Sequence, residues 1–147
     1  FSKAYGMAGA RIGYAICDET ICLSLDKIRN HFGVNRIAQA GAIGALSDHS
    51  FLKWVTKEVE AGKKIYEQLA LELNLSVIPS ATNFIAMDLG SSKYANEFAS
   101  KLEKNRVFVR MPNVFPLDRC IRITVGPKDE CFQVSRAIKD VWTELKK

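Results

Sequence analysis

Apolar residues recur at intervals of three and four along much of the chain, which is the spacing of residues on one face of an α-helix. The longest such pattern follows a polar segment at residues 47–50 and contains Val55, Val59, Gly62, Tyr66, Leu69 and Leu73. Before it, the pattern predicts a helix from Asn35 to Leu46, rich in alanine and glycine and suited to close packing. A shorter helix is predicted from Asp18 or Thr20 towards Asn30.

Beyond residue 76 the pattern changes, and strand-like segments alternate with helices. Apolar alternation and β-branched residues predict strands over residues 77–78, 83–89, 107–109 and 120–125. Ser91 or Ser92 can cap a helix that contains Phe98, and Gly126-Pro127 can open a last helix that contains Ile138. Strands and helices that alternate after one long helical stretch predict an α+β domain over residues 34–147.

The first 33 residues do not fit this domain. Residues 10–17 are predicted to form a strand after a glycine-containing loop, and the helix towards Asn30 follows. One strand and one helix cannot close a core, so residues 1–33 are expected to belong to a larger sheet domain. We therefore expect the natural start of the protein to lie upstream of Phe1 and the chain to be a fragment or a processed product.

Composition narrows the classes of function. The net charge is +5, yet acidic and basic residues are interspersed, so a nucleic-acid partner is not expected. There is no run of ~18 apolar residues, so no membrane span is expected. The two histidines and four cysteines lack zinc-site spacing, and no metal is predicted. Reduced thiols are typical of a cytoplasmic protein.

The segment Phe1–Gly13 contains the residues with the clearest potential chemistry. Ser2-Lys3 and Arg11 lie on either side of a loop that contains Gly6 and Gly9. Glycines let the chain reverse direction, so both cations can face one small anion. A phosphorylated aldehyde needs an amine for the aldehyde carbon and a guanidinium with a hydroxyl for the phosphate. From these residues alone, an ordinary surface loop remains an alternative.

The segment Phe1–Gly9 resembles the lysine signature of the fold-type I aminotransferases, and Arg11 resembles the arginine that binds the cofactor phosphate in that family. Three later segments, Pro79–Phe84, Val107–Arg110 and Cys120–Gly126, resemble successive small-domain blocks of histidinol-phosphate aminotransferases. The order and spacing of these blocks match over essentially the whole chain. Such co-occurrence is more specific than any one block.

The resemblance implies a role for each of these residues. Lys3 would be the Schiff-base lysine of pyridoxal 5'-phosphate and later the general base, while Ser2 and Arg11 would bind the phosphate. Arg122, and with it Arg110, would bind the anionic end of the substrate, a carboxylate or a phosphate. The fold would be a small α+β domain over residues 34–147, with its interdomain helix, preceded by a remnant of the large α/β cofactor-binding domain.

The resemblance also implies the partners. Amino acids or amines and 2-oxo acids would be the substrates, and the intact protein would be a homodimer. The acidic, aromatic and tyrosine residues that complete the family's cofactor site would precede Phe1, so the fragment alone is expected to be inactive.

Two alternatives remain open. Another enzyme of the same fold, such as a decarboxylase, a lyase or an acyl-transferring synthase, would share Lys3 and Arg11. A catalytically silent, half-length interaction module would instead use the helical stretch 35–73 as a binding surface. Ping-pong kinetics with a 2-oxo acid would distinguish an aminotransferase from the other enzymes of this fold. Binding of pyridoxal phosphate by the chain would argue against the silent interaction module.

Overall fold

The structure is a computed structural model that describes residues 1–146. Within them are five α-helices, two short 3-10 turns and a three-stranded antiparallel sheet. The helices are α1 (Glu19–Ile28), α2 (Arg36–Ser47), α3 (His49–Glu72), α4 (Ser92–Lys104) and α5 (Lys128–Leu145). The strands, adjacent in chain order, are β1 (Ser76–Ile78), β2 (Phe84–Asp88) and β3 (Cys120–Thr124).

The chain divides into two compact units, Phe1–Thr56 and the part from Lys57 onward. The first unit contains α1, α2 and the start of α3, and the second contains the sheet with α4, α5 and the rest of α3. The predicted division between residues 33 and 34 concerns the domains of a complete protein and stays a prediction.

Side chains cap the helices at the predicted positions. The Asp18 carboxylate accepts a hydrogen bond from the Thr20 N–H (2.9 Å) at the start of α1. The Asn35 side chain accepts one from the Ala38 N–H (2.7 Å) at the start of α2. Ser91, rather than Ser92, caps α4. These short polar side chains satisfy N–H groups that have no partner inside the helix.

The sheet register places one apolar face against the core. Ile85 and Met87 of β2 pair with Ile123 and Ile121 of β3, and all four side chains are buried. The predicted alternation along β3 is confirmed, with one exception. Cys120 is buried although it lies on the other face of the strand. Arg122, on that same face, is half-buried.

The core of the second unit combines this sheet face with three helices. Tyr66 of α3, Phe98 and Leu102 of α4, and Ile138 and Val141 of α5 are buried in one cluster with the strands. The periodic positions predicted for α3 from Gly62 onward, Phe98 of α4 and Ile138 of α5 are therefore buried, whereas Val55 and Val59 of α3 are half-buried and lie outside this core. Of the small residues of α2, Ala38 and Ala42 are buried, whereas Ala40, Gly41 and Gly44 are exposed.

Two predicted strands are absent from the structure. Residues 12–17 have no regular secondary structure and follow a 3-10 turn at Ala8–Ala10. Residues 107–109 also form no strand, and only Arg110 forms a bridge, with Arg122. A strand exists through hydrogen bonds to a neighbouring strand, and neither segment has a full-length partner among the described residues.

Replacing Gly62 by alanine is expected to lower the free energy of unfolding by roughly 1–3 kcal/mol through overpacking. A Cβ at Gly62 would lie 2.4 Å from Val125 Cγ1 and 3.1 Å from Cys131 Sγ. Val125 is buried and stiff about χ1, so it cannot turn away easily. The measurement is urea unfolding of the full-length protein, followed by circular dichroism.

Gly44 supplies the matched control. It also lies inside a helix, α2, but a Cβ added there would meet nothing within 4 Å. The Gly44→Ala variant is therefore expected to leave stability unchanged or raise it by up to ~1 kcal/mol through helix propensity. Equal effects of the two substitutions would contradict the close approach at Gly62.

Candidate active site

The N-terminal loop folds back on itself as the glycines predicted. The Gly6 N–H donates to the Lys3 carbonyl (2.9 Å), and the Met7 N–H donates to the Phe1 carbonyl (3.1 Å). Gly6 has φ of +66°, a conformation that glycine adopts at little cost. A Cβ at Gly6 or Gly9 would meet nothing within 4 Å, so open space borders the backbone here. The loop is a closed turn that leaves room for a ligand to approach.

Lys3 projects from this turn as a free amine. Its side chain is exposed and forms no hydrogen bond or ion pair with any described residue. Beside it, the Phe1 ring packs against Tyr5 and Tyr14, with ring centroids 5.0 and 5.5 Å apart. Ser2 is half-buried. The aromatic contacts hold the backbone of the loop, while the Lys3 amine remains available for reaction.

Arg11 lies at the C-terminal end of the loop, and its backbone adopts a left-handed conformation. Its φ is +53°, which is uncommon for a residue with a side chain. The Ala10 N–H donates to the Met7 carbonyl (3.1 Å), and the Asn35 amide donates to the Ala10 carbonyl (3.4 Å), which fixes the backbone just before Arg11.

Most N–H donors of the Arg11 guanidinium form no hydrogen bond to the described residues. The guanidinium makes one bond, from Nη1 to the Ala8 carbonyl (2.8 Å), among the described residues. A guanidinium carries five N–H donors, so most of them are open to an anion. Ser2, Lys3 and Arg11 thus lie on one short segment, and their side chains are of the types that bind a small phosphorylated aldehyde.

The two other predicted site residues lie side by side in the second unit. Arg110 and Arg122 exchange backbone hydrogen bonds of 3.0 and 2.7 Å as directly opposed residues. Side chains opposed in this way project from the same face of the sheet. The Arg122 guanidinium carbon lies 4.6 Å from the centre of the Phe84 ring, a cation–π contact. Two cations and one aromatic ring therefore share this face.

Arg122 has a buried donor without a partner. Its Nε is inaccessible to solvent and forms no hydrogen bond to any described residue. The carboxylate of Asp88, on the same face of the sheet, is already engaged by Arg119 (2.6 Å) and the Gly90 N–H (2.8 Å). A buried unpaired donor costs about 1–3 kcal/mol. The face that carries Arg110 and Arg122 is therefore positively charged and suits an anion.

Sequence reasoning did not identify Phe84 or Lys63 as supports of this face. Lys63 is 6 % exposed, and its amine contacts the Glu60 carboxylate (2.6 Å) and donates to the Ser80 carbonyl (2.9 Å). The Ser80 hydroxyl in turn donates to the Phe84 carbonyl (2.8 Å). This chain of bonds positions the turn that places Phe84 beside Arg122. A lysine on a helix ordinarily indicates a solvated face, so no sequence pattern predicted the burial of Lys63.

No cluster of histidine, cysteine and acidic side chains within residues 1–146 could hold a metal ion. None of the helices in this range is long and apolar enough to cross a membrane.

Residues 1–138 match the sequence model of the family described as aminotransferase class I and II. The chain belongs to this family. Histidinol-phosphate aminotransferase 2 of Carboxydothermus hydrogenoformans is 39% identical over 126 residues, which cover 86% of this chain and 34% of that protein. Histidinol-phosphate aminotransferase of Bacillus pumilus is 35% identical over 141 residues, which cover 96% of this chain and 38% of that protein.

A solved aminotransferase structure has the same fold. Histidinol-phosphate aminotransferase from Sinorhizobium meliloti, determined in complex with pyridoxal-5'-phosphate, superposes with a TM-score of 0.92 at 44% identity. The match covers 99% of this chain and 40% of that one. The chain therefore spans about two fifths or less of the length of these relatives.

Proposed function

We propose that this chain is the C-terminal portion of a pyridoxal-phosphate-dependent aminotransferase of the histidinol-phosphate type. The observation that carries the proposal is the exposed Lys3 side chain on a closed turn, eight residues before Arg11, in a chain of this family. The complete enzyme would transfer an amino group to a 2-oxo acid. Residues 1–33 would belong to its large cofactor-binding domain, and residues 34–147 would form the interdomain helix and the small domain.

The residues of the loop fit the cofactor. When bound, pyridoxal phosphate supplies an aldehyde carbon that links to amines and a ring that withdraws electrons from the substrate's Cα. Lys3 would hold the aldehyde carbon through Nζ and, once displaced by the substrate amine, would move the proton from that Cα. Ser2 and the unused donors of Arg11 would bind the phosphate by charge-assisted hydrogen bonds.

The substrate end of the site would be the face with Arg110 and Arg122. Two opposed guanidiniums, one with a buried unpaired Nε, favour a group with more than one negative charge. A phosphate monoester carries a charge of about −1.5 to −2 at neutral pH and three acceptor oxygens, whereas a carboxylate carries one charge. Phosphate is therefore the anion that this pair suits best, with Phe84 flanking one guanidinium.

The proposal extends to the assembly and location of the complete protein. Ile16, Phe32 and Ile37 are each at least 87% exposed in the first unit, and we expect other parts of a homodimeric enzyme to cover them. The four cysteines are all free thiols, which suits a cytoplasmic enzyme.

Borohydride reduction of the full-length enzyme with pyridoxal phosphate tests the role of Lys3. Reduction fixes the cofactor to the amine that holds it, and trypsin then fails to cleave after that lysine. The expected result is one labelled peptide that runs through an uncleaved Lys3 and ends at Arg11. A label on any other lysine would contradict the assignment of Lys3 as the lysine that holds the cofactor.

Kinetics with a 2-oxo acid test the reaction class. An aminotransferase is expected to give ping-pong kinetics, because the amino group is held on the enzyme between two half-reactions. Release of carbon dioxide without a requirement for a 2-oxo acid would favour a decarboxylase of the same fold. Failure of the full-length protein to bind the cofactor at all would favour the silent interaction module.

A further inference from the structure

Lys63 is a buried cation on α3, although the adjacent Lys64 and the nearby Glu60 are exposed. Its amine contacts the Glu60 carboxylate (2.6 Å) and donates to the Ser80 carbonyl (2.9 Å). Burying an amine costs free energy unless hydrogen bonds replace those to water, and an apolar side chain would fill this position without that cost. A lysine here therefore indicates that the turn at Ser80 requires a donor from α3.

The same part of α3 lies against both strands of the face that carries Arg122. Lys63 bonds to the turn before β2. At Gly62, the backbone is so close to Val125, the residue after β3, that an added Cβ would lie 2.4 Å from Val125 Cγ1. The Val125 N–H also donates to the Asn83 carbonyl (2.9 Å), which ties the start of β2 to the end of β3.

Hydrogen bonds and one ring contact connect this turn to the Arg122 side chain. The Ser80 hydroxyl accepts from the Thr82 N–H (3.1 Å) and donates to the Phe84 carbonyl (2.8 Å). In the register of β2 and β3, Ala86 lies opposite Arg122, so Phe84, two residues before Ala86, projects from the same face. The Phe84 ring centre is 4.6 Å from the guanidinium carbon. A shift of the turn would therefore move the ring against which the guanidinium packs.

We propose that Lys63 is a positioning residue that, through Ser80 and Phe84, holds the Arg122 guanidinium in the orientation that binds the anionic group of the substrate. The inference rests on the proposed function, in which Arg122 binds that anion. Lys63 acts through the turn and does not contact the substrate. Its burial and its bonds are complete within the second unit, so they do not depend on the part of the relatives that this chain does not span.

Steady-state kinetics of the full-length enzyme with Lys63→Met test this role. Methionine keeps an unbranched apolar side chain but removes the donor to the Ser80 carbonyl. The amino donors are L-histidinol phosphate and L-histidinol, which differ only in the phosphate. KM for histidinol phosphate is expected to rise roughly 10-fold with kcat changed by less than about twofold, because a small displacement of a positioned group weakens its contacts. The kcat/KM for histidinol should stay at the wild-type value.

Three further variants provide the controls. Lys64→Met removes an exposed lysine from the same helix and should behave as wild type with both donors. Lys63→Arg keeps a charged N–H donor and should recover part of the affinity for histidinol phosphate. Ser80→Ala removes the hydroxyl bond to Phe84 and should also raise KM for histidinol phosphate alone. Its effect should not add to that of Lys63→Met, because both act on one turn.

An equal loss of kcat/KM for the two donors would overturn the proposal and leave Lys63 a purely structural residue. A smaller folded fraction lowers the rates with both donors in proportion, so the ratio of the two kcat/KM values is unaffected by it. Should Lys63→Met yield no folded enzyme, Ser80→Ala decides by the same ratio, and an unchanged ratio overturns the proposal.

Arg122→Ala distinguishes this inference from the proposed function. If its loss is not selective for histidinol phosphate, the assignment of Arg122 to the substrate anion fails, and the role of Lys63 fails with it. If Arg122→Ala is selective but Lys63→Met is not, only the inference about Lys63 is overturned.

Discussion

In the full-length enzyme, Lys3→Ala is expected to lower kcat for transamination by roughly 10²–10⁴-fold, the usual contribution of a positioned acid–base group. The Lys3 amine is exposed and has no partner among the described residues, so its removal should leave the fold of the loop unchanged. The turn depends on backbone bonds from Gly6 and Met7, which alanine retains. Single-turnover kinetics with a saturating amino donor measure the effect.

Two controls distinguish chemistry from structure. Lys27, also exposed and located in the last turn of α1, supplies the matched variant Lys27→Ala, which should retain wild-type kcat. A small primary amine added to the Lys3→Ala enzyme should restore part of the rate, because it can accept the Cα proton in place of the side chain. Near-normal turnover by Lys3→Ala without added amine would remove Lys3 from the mechanism.

Replacing Arg122 by alanine is expected to lower kcat/KM by roughly 100-fold or more for an amino donor that carries a phosphate. The loss arises because the anion would face Arg110 alone and lose the charge and hydrogen-bond donors of the Arg122 guanidinium. Arg122→Lys keeps the positive charge but loses the planar guanidinium with its paired N–H donors, so an intermediate loss of kcat/KM is expected. Steady-state kinetics of the full-length enzyme measure each variant.

The control for this prediction is a substrate that lacks the anion. For the dephosphorylated amino alcohol, wild-type enzyme and Arg122→Ala should have nearly equal kcat/KM values. Arg119→Ala should have little effect on either substrate, because the Arg119 side chain is half-exposed and its guanidinium is already paired with Asp88 (2.6 Å). An equal loss for both substrates would indicate that Arg122 only stabilises the sheet.

Local chemistry explains why the helices could be predicted well. Asp18, Asn35 and Ser91 cap helices because their side chains satisfy N–H groups two or three residues away, and this depends on nothing distant. The core positions of α3 and α5 follow from the helical period in the same way. The glycine turn after Lys3 is local too, since Gly6 meets the demand for a positive φ within a few residues.

Strands and contacts between distant residues could not be predicted in this way. Residues 10–17 have a strand-like sequence, yet they form no strand because pairing requires a neighbour that the sequence of the segment does not encode. The burial of Lys63 depends on the Ser80 carbonyl, 17 residues away, and the position of Phe84 near Arg122 depends on sheet register.

The sequence by itself determined the helices, the reversal after Lys3 and the identities of the cations that could bind anions. These follow from interactions over a few residues, whose energies do not depend on the rest of the fold. Tertiary structure alone decided that Arg110 and Arg122 face the same side of the sheet, that one guanidinium nitrogen is buried without a partner, and that Gly62 has no room for a Cβ. Each of these depends on which distant segments pair and pack, and only the folded chain specifies that.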